Sequence, residues 1–387
     1  MAKRGQYPGR CEGQHRPIGL LESDCEAHVR GRIIEKDGSH GVLGDETGSV
    51  RMRSDEDMAW SLGDLIEVWG TVDSAGHLQA QRLSVLAPAL RQPAIDWERL
   101  NGEGRSVIGN LRTRARVLTR IRRHFETRGF TEVETPHLLS YRGCEVHIDQ
   151  FETRFSRGAE EDTLFLAPSP ELHMKRLLGA GMERIYQLGR CYRNGEISPL
   201  HNPEFTMLEW YRAFASYEEL IDQTESLVLE VLLEASVQPQ RWDALAKAAP
   251  WPRISVEEAF ARWAKIDLAR CMDTESLFGE MRRLGYASAQ PDDSWDDLFH
   301  KVLIERVEPE IARMGAAFLV DYPAQLGAMA KLKEGDANWA ERAELYVEGI
   351  ELANGYSELN DPVEQRSRFV EARSGRPGEP KIGRAHV

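Results

Sequence analysis

The chain has 387 residues, 41% hydrophobic and 29% charged, with a net charge of −14. That length can bury a sizeable core and suits two or three domains. No apolar run approaches the ~20 residues a membrane helix needs, and so acidic a chain is not built as a general nucleic-acid binder.

Residues 1–22 are polar and contain Gly and Pro; they are expected to be a poorly ordered head. The opening MAKRGQYPGR has no apolar core behind its basic residues and does not read as a secretory signal. The five cysteines, Cys11, Cys25, Cys144, Cys191 and Cys271, are scattered and never form a Cys-x-x-Cys pair. That pattern points to reduced thiols in the cytoplasm and away from a zinc site.

From 23 to 90 the pattern is all-β. HVRGRII, the two arms of GVLGDETGSVRMR, DLIEVWGTV and HLQAQRLSVL read as five short strands, with Asp-Glu-Thr-Gly and Asp-Ser-Ala-Gly turns. Five such strands suggest a small OB-like barrel. Twelve acidic residues face six Lys/Arg between Asp24 and Leu90, a net of −6, whereas an RNA-reading barrel presents a basic groove with stacking aromatics. Of its two tryptophans, Trp69 lies in an alternating strand and is expected in the core.

Residues 91–105 read as a linker, and 106–380 as a second domain. Leu111, Ala115, Leu118, Ile121 and Phe125 recur at helical spacing, and Gly129 closes that helix. Seven arginines between Arg112 and Arg128 occupy its other faces; a solvated face is the plainer account, contact with tRNA or an acidic protein the sharper one. FTEVETPHLL follows as a strand broken by Pro136. Apolar strands then alternate with helices, including one over about 217–235. In SVEEAFARWAK, Ser255 and Glu258 have capping-box spacing.

Two segments carry chemistry. In RCYRNGEISPLHNPEFTMLEWYR (190–212), strand, polar loop and returning strand form one way to cradle a nucleotide triphosphate. The Arg193 fork suits phosphate oxygens. Phe205 offers a face for base stacking, and Glu209 and Tyr211 alternate onto one side of the strand. In ELYVEGIELANGYSELND (344–361), a two-residue hairpin at Glu348-Gly349 would make Glu344 and Glu351 diagonal neighbours. Paired carboxylates with substrate phosphates suit magnesium; a register shifted by one would leave two plain strand glutamates.

These segments closely resemble the class II aminoacyl-tRNA synthetases, in the lysine branch that also contains the elongation factor P lysine ligases. The resemblance spans about Leu111–Phe369. It implies an α+β fold, with an antiparallel sheet of six to seven strands flanked by helices, behind the OB-like module. The implied reaction joins lysine or β-lysine to ATP as an aminoacyl-adenylate, with magnesium. Helix, strand and proline near 111–140 resemble the motif that forms the family's dimer interface, so a homodimer is expected.

By the same resemblance, Arg193 binds the α-phosphate and the amino-acid carboxylate and is the catalytic residue. His201 and Asn202 lie near the outer phosphates, and Phe205 stacks on adenine. Glu171, in SPELHMKRLL, binds the substrate amino group; placement near a helix dipole is its plainer account. Asn354 binds the carboxylate, and Glu358 pairs with the side-chain ammonium beside Tyr211. Glu209 and Ala353 complete the lysine-binding set, and Glu344 and Glu351 hold the metal. Lys175 and Arg176 receive no role.

Three departures from the family pattern stand out. Arg193-Asn194-Gly195-Glu196 carries the acid of the usual Arg-x-Glu one place late, so Glu196 is a displaced adenine contact. Ala353, Ser169 and the FETRF segment (151–155) resemble the elongation factor P branch. The family's arginine-bearing third motif is absent. The closing KIGRAHV (381–387) is therefore expected to be non-native, the natural protein to continue past Pro380, and the chain as written to be weakly active or inactive. The acceptor is read as elongation factor P, with tRNA(Lys) as the alternative and a non-catalytic lysine- or ATP-binding paralogue as a third reading.

Overall fold

The computed structural model describes residues 15–54, 58–89, 107–143, 148–158, 160–235 and 239–374. Most of the expected head, the 91–105 linker, the 381–387 tail, Cys11 and Cys144 lie outside the described residues. By contacts the chain divides into two compact units, 1–116 and 117–387.

In the first unit, β1 (Cys25–Asp37), β2 (His40–Asp45), β3 (Gly48–Arg53), β4 (Leu65–Val72) and β5 (Leu78–Ala87) close a barrel in the order β1-β2-β3-β5-β4. The five expected strands are all present. β1 closes the barrel by pairing with both β2 and β4. Its interior is filled from alternate positions by Val29, Ile33, Leu43, Met52, Ile66, Val68 and Leu78. Asp45 Oδ1 accepts from the amides of Thr47 and Gly48 and so makes the β2–β3 turn. Gly70 sits at a register shift, and a Cβ there would lie 2.0 Å from the Gln79 carbonyl oxygen.

The expectation for Trp69 fails. Ile66, Val68, Gly70 and Val72 take the inward phase of β4, which turns Trp69 outward. There it stacks on His28 at 4.6 Å, with the Arg82 guanidinium 3.7 Å from its ring centre. Trp60, held by Ser54 Oγ, is the buried tryptophan.

Helix α1 (Val107–Glu126) carries the boundary between the units, at Arg116, and ends before Gly129, whose φ is 73°. The expected Pro136-broken strand is two short pieces, β6 (Thr131–Glu132) and β7 (Leu138–Leu139), in different sheets. β8 (Glu152–Arg157) and β9 (Glu160–Leu166) pair beside β7. Helix α2 (Glu171–Gly179) precedes β10 (Arg184–Tyr192) and β11 (Glu204–Arg212), which form a nine-pair antiparallel ladder. Helix α3 covers Tyr217–Ala235.

The last sheet runs β12 (Arg253–Ser255), β13 (Ala316–Pro323), β15 (Asp336–Val347) and β14 (Leu332–Lys333), with β16 (Ile350–Tyr356) beside β15. Helix α4 (Pro362–Ser374) follows. Beyond the barrel the strands are mostly antiparallel and flanked by helices, and among the described residues they form three hydrogen-bonded sheets. Both faces of β13 and β15 are covered. Ala317, Leu319, Tyr322 and Tyr346 pack on the helices of 256–314, whereas Phe318, Val320, Leu345 and Val347 pack toward α3. Ser255 caps its helix through the Glu258 amide; the reciprocal box is formed by Ser294 and Asp297 instead.

Candidate active site

A cavity of about 2270 Å³ lies between β11 and β16. Alternation on β11 sets its chemistry. Leu208 and Trp210 pack on the Phe125 cluster, which leaves Phe205, Glu209 and Tyr211 for the other face. The Arg193 guanidinium lies 5.3 Å over the Phe205 ring, and its Nε is buried without a hydrogen-bond acceptor among the described residues. Such a donor is costly unless a ligand oxygen completes it. Glu196 approaches Arg193 to 3.9 Å. Asn194 donates to Asp149 while Gly195 turns the chain at φ 77°.

At the head of α2, Ser169 Oγ accepts from the Glu171 amide and donates to Glu209. Tyr211 donates to Glu209 at 2.7 Å and Tyr356 to Glu171 at 3.1 Å. Burial, then the nearby glutamates, pushes both phenols well up, so they remain neutral donors. Lys175 Nζ lies 2.6 Å from Glu171 and 2.6 Å from Glu358. Burial pushes the Glu358 carboxyl up to about 7, against the pull of Lys175. For Lys175, burial alone would lower the pKa, but the two glutamates outweigh it and the net shift is upward.

The second carboxylate group is on the β15–β16 hairpin. Glu348 and Gly349 have φ of 55° and 78°, the left-handed pair of a two-residue turn. Tyr346 pairs with Glu351. A register shift then places Asn354, rather than Ala353, opposite Glu344. Glu344 is only 5% exposed. It accepts from Tyr322, Tyr346 at 2.9 Å, Arg342 at 2.7 Å and Asn354 at 3.1 Å. Glu351 reaches the surface, yet desolvation and then the Glu344 charge push its carboxyl up to about 7.

The donor set fits magnesium: hard oxygens, one of them on a carboxylate that its protein neighbours leave poorly neutralised. Among the described residues no cluster of three or more ligating side chains exists. The remaining ligands of such an ion would be phosphate oxygens and water.

The structure thus brings Arg193, Phe205, Glu171, Glu209, Tyr211, Asn354 and Glu358 around one cavity. Ala353 also borders it, but pairs with Leu345 and packs toward α3, on the other face of the strand from Asn354. His201 and Asn202 lie in the exposed loop, where His201 bonds to Ser198. Glu196, Glu344 and Glu351 lie outside the lining. Sequence reasoning missed Tyr356, although it alternates with Asn354. It also gave no role to Lys175, although that residue is one helical turn from Glu171. Nothing local marks Tyr322 as a partner of Glu344.

A family model for class II tRNA synthetases (D, K and N) matches residues 97–380. The lysine–tRNA ligase of Pelotomaculum thermopropionicum is 32% identical over 94% of this chain and 79% of its own length. That of Magnetococcus marinus is 34% identical over 85% and 71%. The elongation factor P–(R)-β-lysine ligase of Erwinia tasmaniensis is 40% identical over 70% of this chain and 82% of its own length. The chain belongs to the class II tRNA synthetases of the D, K and N group and is a ligase.

Proposed function

Proceeding from that membership, we propose that the protein activates lysine or β-lysine with ATP and passes it to a lysine side chain of elongation factor P. The observation that carries the first half is the pocket of three glutamates, Glu171, Glu209 and Glu358, backed by neutral Tyr211 and Tyr356. Three carboxylates gathered at one wall repel one another and are costly to bury, and an amino acid with two ammonium groups relieves that. Its carboxylate then faces Arg193. The carboxylate oxygen bonds to the α-phosphorus of ATP as the bond to the β-phosphate oxygen breaks, and pyrophosphate leaves. Arg193 neutralises both anions, Phe205 stacks on the adenine, and Glu196 lies within reach of the Arg193 fork. His201 and Asn202, on the exposed loop, are the candidates for the outer phosphates. Asn354 supports the substrate carboxylate end, and Ala353 shapes the wall. Glu351, with Glu344 beside it, would hold magnesium, which would supply charge neutralisation at the phosphates. In the second step the acceptor amine attacks the acyl carbon and AMP leaves.

Two observations favour the protein acceptor: the identity to the elongation factor P ligase, and an acidic barrel whose outward Trp69 is already sandwiched by His28 and Arg82. The second reading, charging of tRNA(Lys), is favoured by the barrel itself, since the lysine–tRNA ligase match extends over 94% of the chain. A cytoplasmic homodimer fits either; among the described residues no helix is long and apolar enough to cross a membrane. Leu111 on α1 is 59% exposed, an apolar face for a second copy. The test is transfer of labelled lysine and (R)-β-lysine to elongation factor P and to tRNA. Stable label on the factor alone supports the first reading, and label on tRNA alone replaces it with the second.

A further inference from the structure

The lysine pocket already contains a cation of its own. Lys175 is on the second turn of α2, four residues after Glu171, and its side chain is 18% exposed. Its ammonium is equidistant, at 2.6 Å, from Glu171 and from Glu358, a residue brought in from beyond β16. It does not line the cavity, whereas Glu171, Glu209 and Glu358 do. Lys175 therefore stands behind the wall, joining two of its three acids.

Taken alone, these three carboxylates and one ammonium carry a net charge of −2. Lysine and β-lysine each present two ammonium groups, and their carboxylate is directed to Arg193. Without Lys175 the same wall would carry −3, one charge more than such a substrate neutralises.

We infer that Lys175 is a positioning and specificity residue, which ties Glu171 to Glu358 and fits the pocket to a substrate with two ammonium groups. This rests on the lysine-activation reading. The groups facing Lys175 are Glu171 on its own helix, Tyr356 at the end of β16 and Glu358 just beyond it; Glu209 and Tyr211 on β11, bonded to each other, line the same pocket. Lys331 borders the same cavity.

The experiment is calorimetric titration of the full chain with lysine at pH 8 in two buffers of different ionisation enthalpy. This reads affinity and proton release together. In the wild type, binding releases few protons. In Lys175→Met an acid of the pocket holds a proton until the substrate arrives, so binding releases about one proton and weakens about tenfold. Lys175→Arg keeps a cation and stays near the wild type. Lys175→Met combined with Glu358→Gln restores the count to −2 and abolishes the extra proton. A Lys175→Met protein that binds lysine with no added proton release overturns the inference. So does one whose proton release the second substitution leaves in place. A wild type that binds no lysine defeats the lysine-activation reading itself, a different outcome.

Discussion

The two carboxylate groups of the cavity region solve one problem in two ways. At the hairpin, Glu344 is saturated by two tyrosines, an arginine and an asparagine, while its neighbour Glu351 is left strained, its carboxyl raised to about 7. In the lysine pocket, Glu171 is held by Lys175 and Tyr356, while Glu358 is the strained member, also near 7. In each group one acid is part of the scaffold, and the other keeps a raised carboxyl, Glu351 with no ion pair of its own among the described residues and Glu358 despite sharing Lys175. On the proposed function the remaining charge would come from a metal in the first and from an organic ammonium in the second.

Removing the acid that belongs to the scaffold should cost the most. Glu344→Ala strands Arg342, Tyr322 and Tyr346 without their shared acceptor and should destabilise the fold by about 3–5 kcal/mol. Denaturant unfolding measures it, and a loss below ~1 kcal/mol would make Glu344 a plain ligand.

Glu351→Ala should barely change stability but weaken magnesium-dependent ATP binding about tenfold, roughly one charge-assisted contact. ATP titrations with and without the metal read this, and a loss equal in both would deny the metal role.

Glu358→Gln should weaken lysine binding about tenfold, because a bond to a charged group is lost. Its stability carries a sign. A carboxyl raised from 4.5 to about 7 stabilises the free protein fully below 4.5, and that contribution is lost as pH rises through 7. The Glu358→Gln protein should therefore gain stability relative to the wild type between pH 5 and 8. Parallel melting curves across that window would remove the strain from Glu358.

The barrel supplies the smallest effect on the site. Gly70→Ala forces a methyl against the Gln79 carbonyl and should cost the barrel about 1–3 kcal/mol, with lysine affinity unchanged. A shift in lysine affinity would tie the barrel to the pocket.

Much of this architecture was legible because local rules agree with it. Alternation and Asx turns marked all five barrel strands, and Glu348-Gly349 marked the hairpin. Trp69 misled because alternation shows that a strand has two faces, not which one is inside; Ile66, Val68 and Val72 decide that. In the site, Glu209 and Tyr211 were readable from period-two spacing. The partnership of Asn354 with Glu344 depends on a register shift that no spacing rule announces. The ion pair of Lys175 with Glu358 spans 183 positions, and only the folded chain brings the two together.

The most direct test of the central claim compares lysine with norleucine, which has the same carbon chain without the ε-ammonium, in equilibrium titrations of the wild-type chain. A pocket whose acids exceed its one ammonium should bind lysine and reject norleucine by at least about 10³-fold, since norleucine brings no side-chain cation to offset the excess. Equal affinity for the two would contradict the account, because the second ammonium would then have no partner in the pocket.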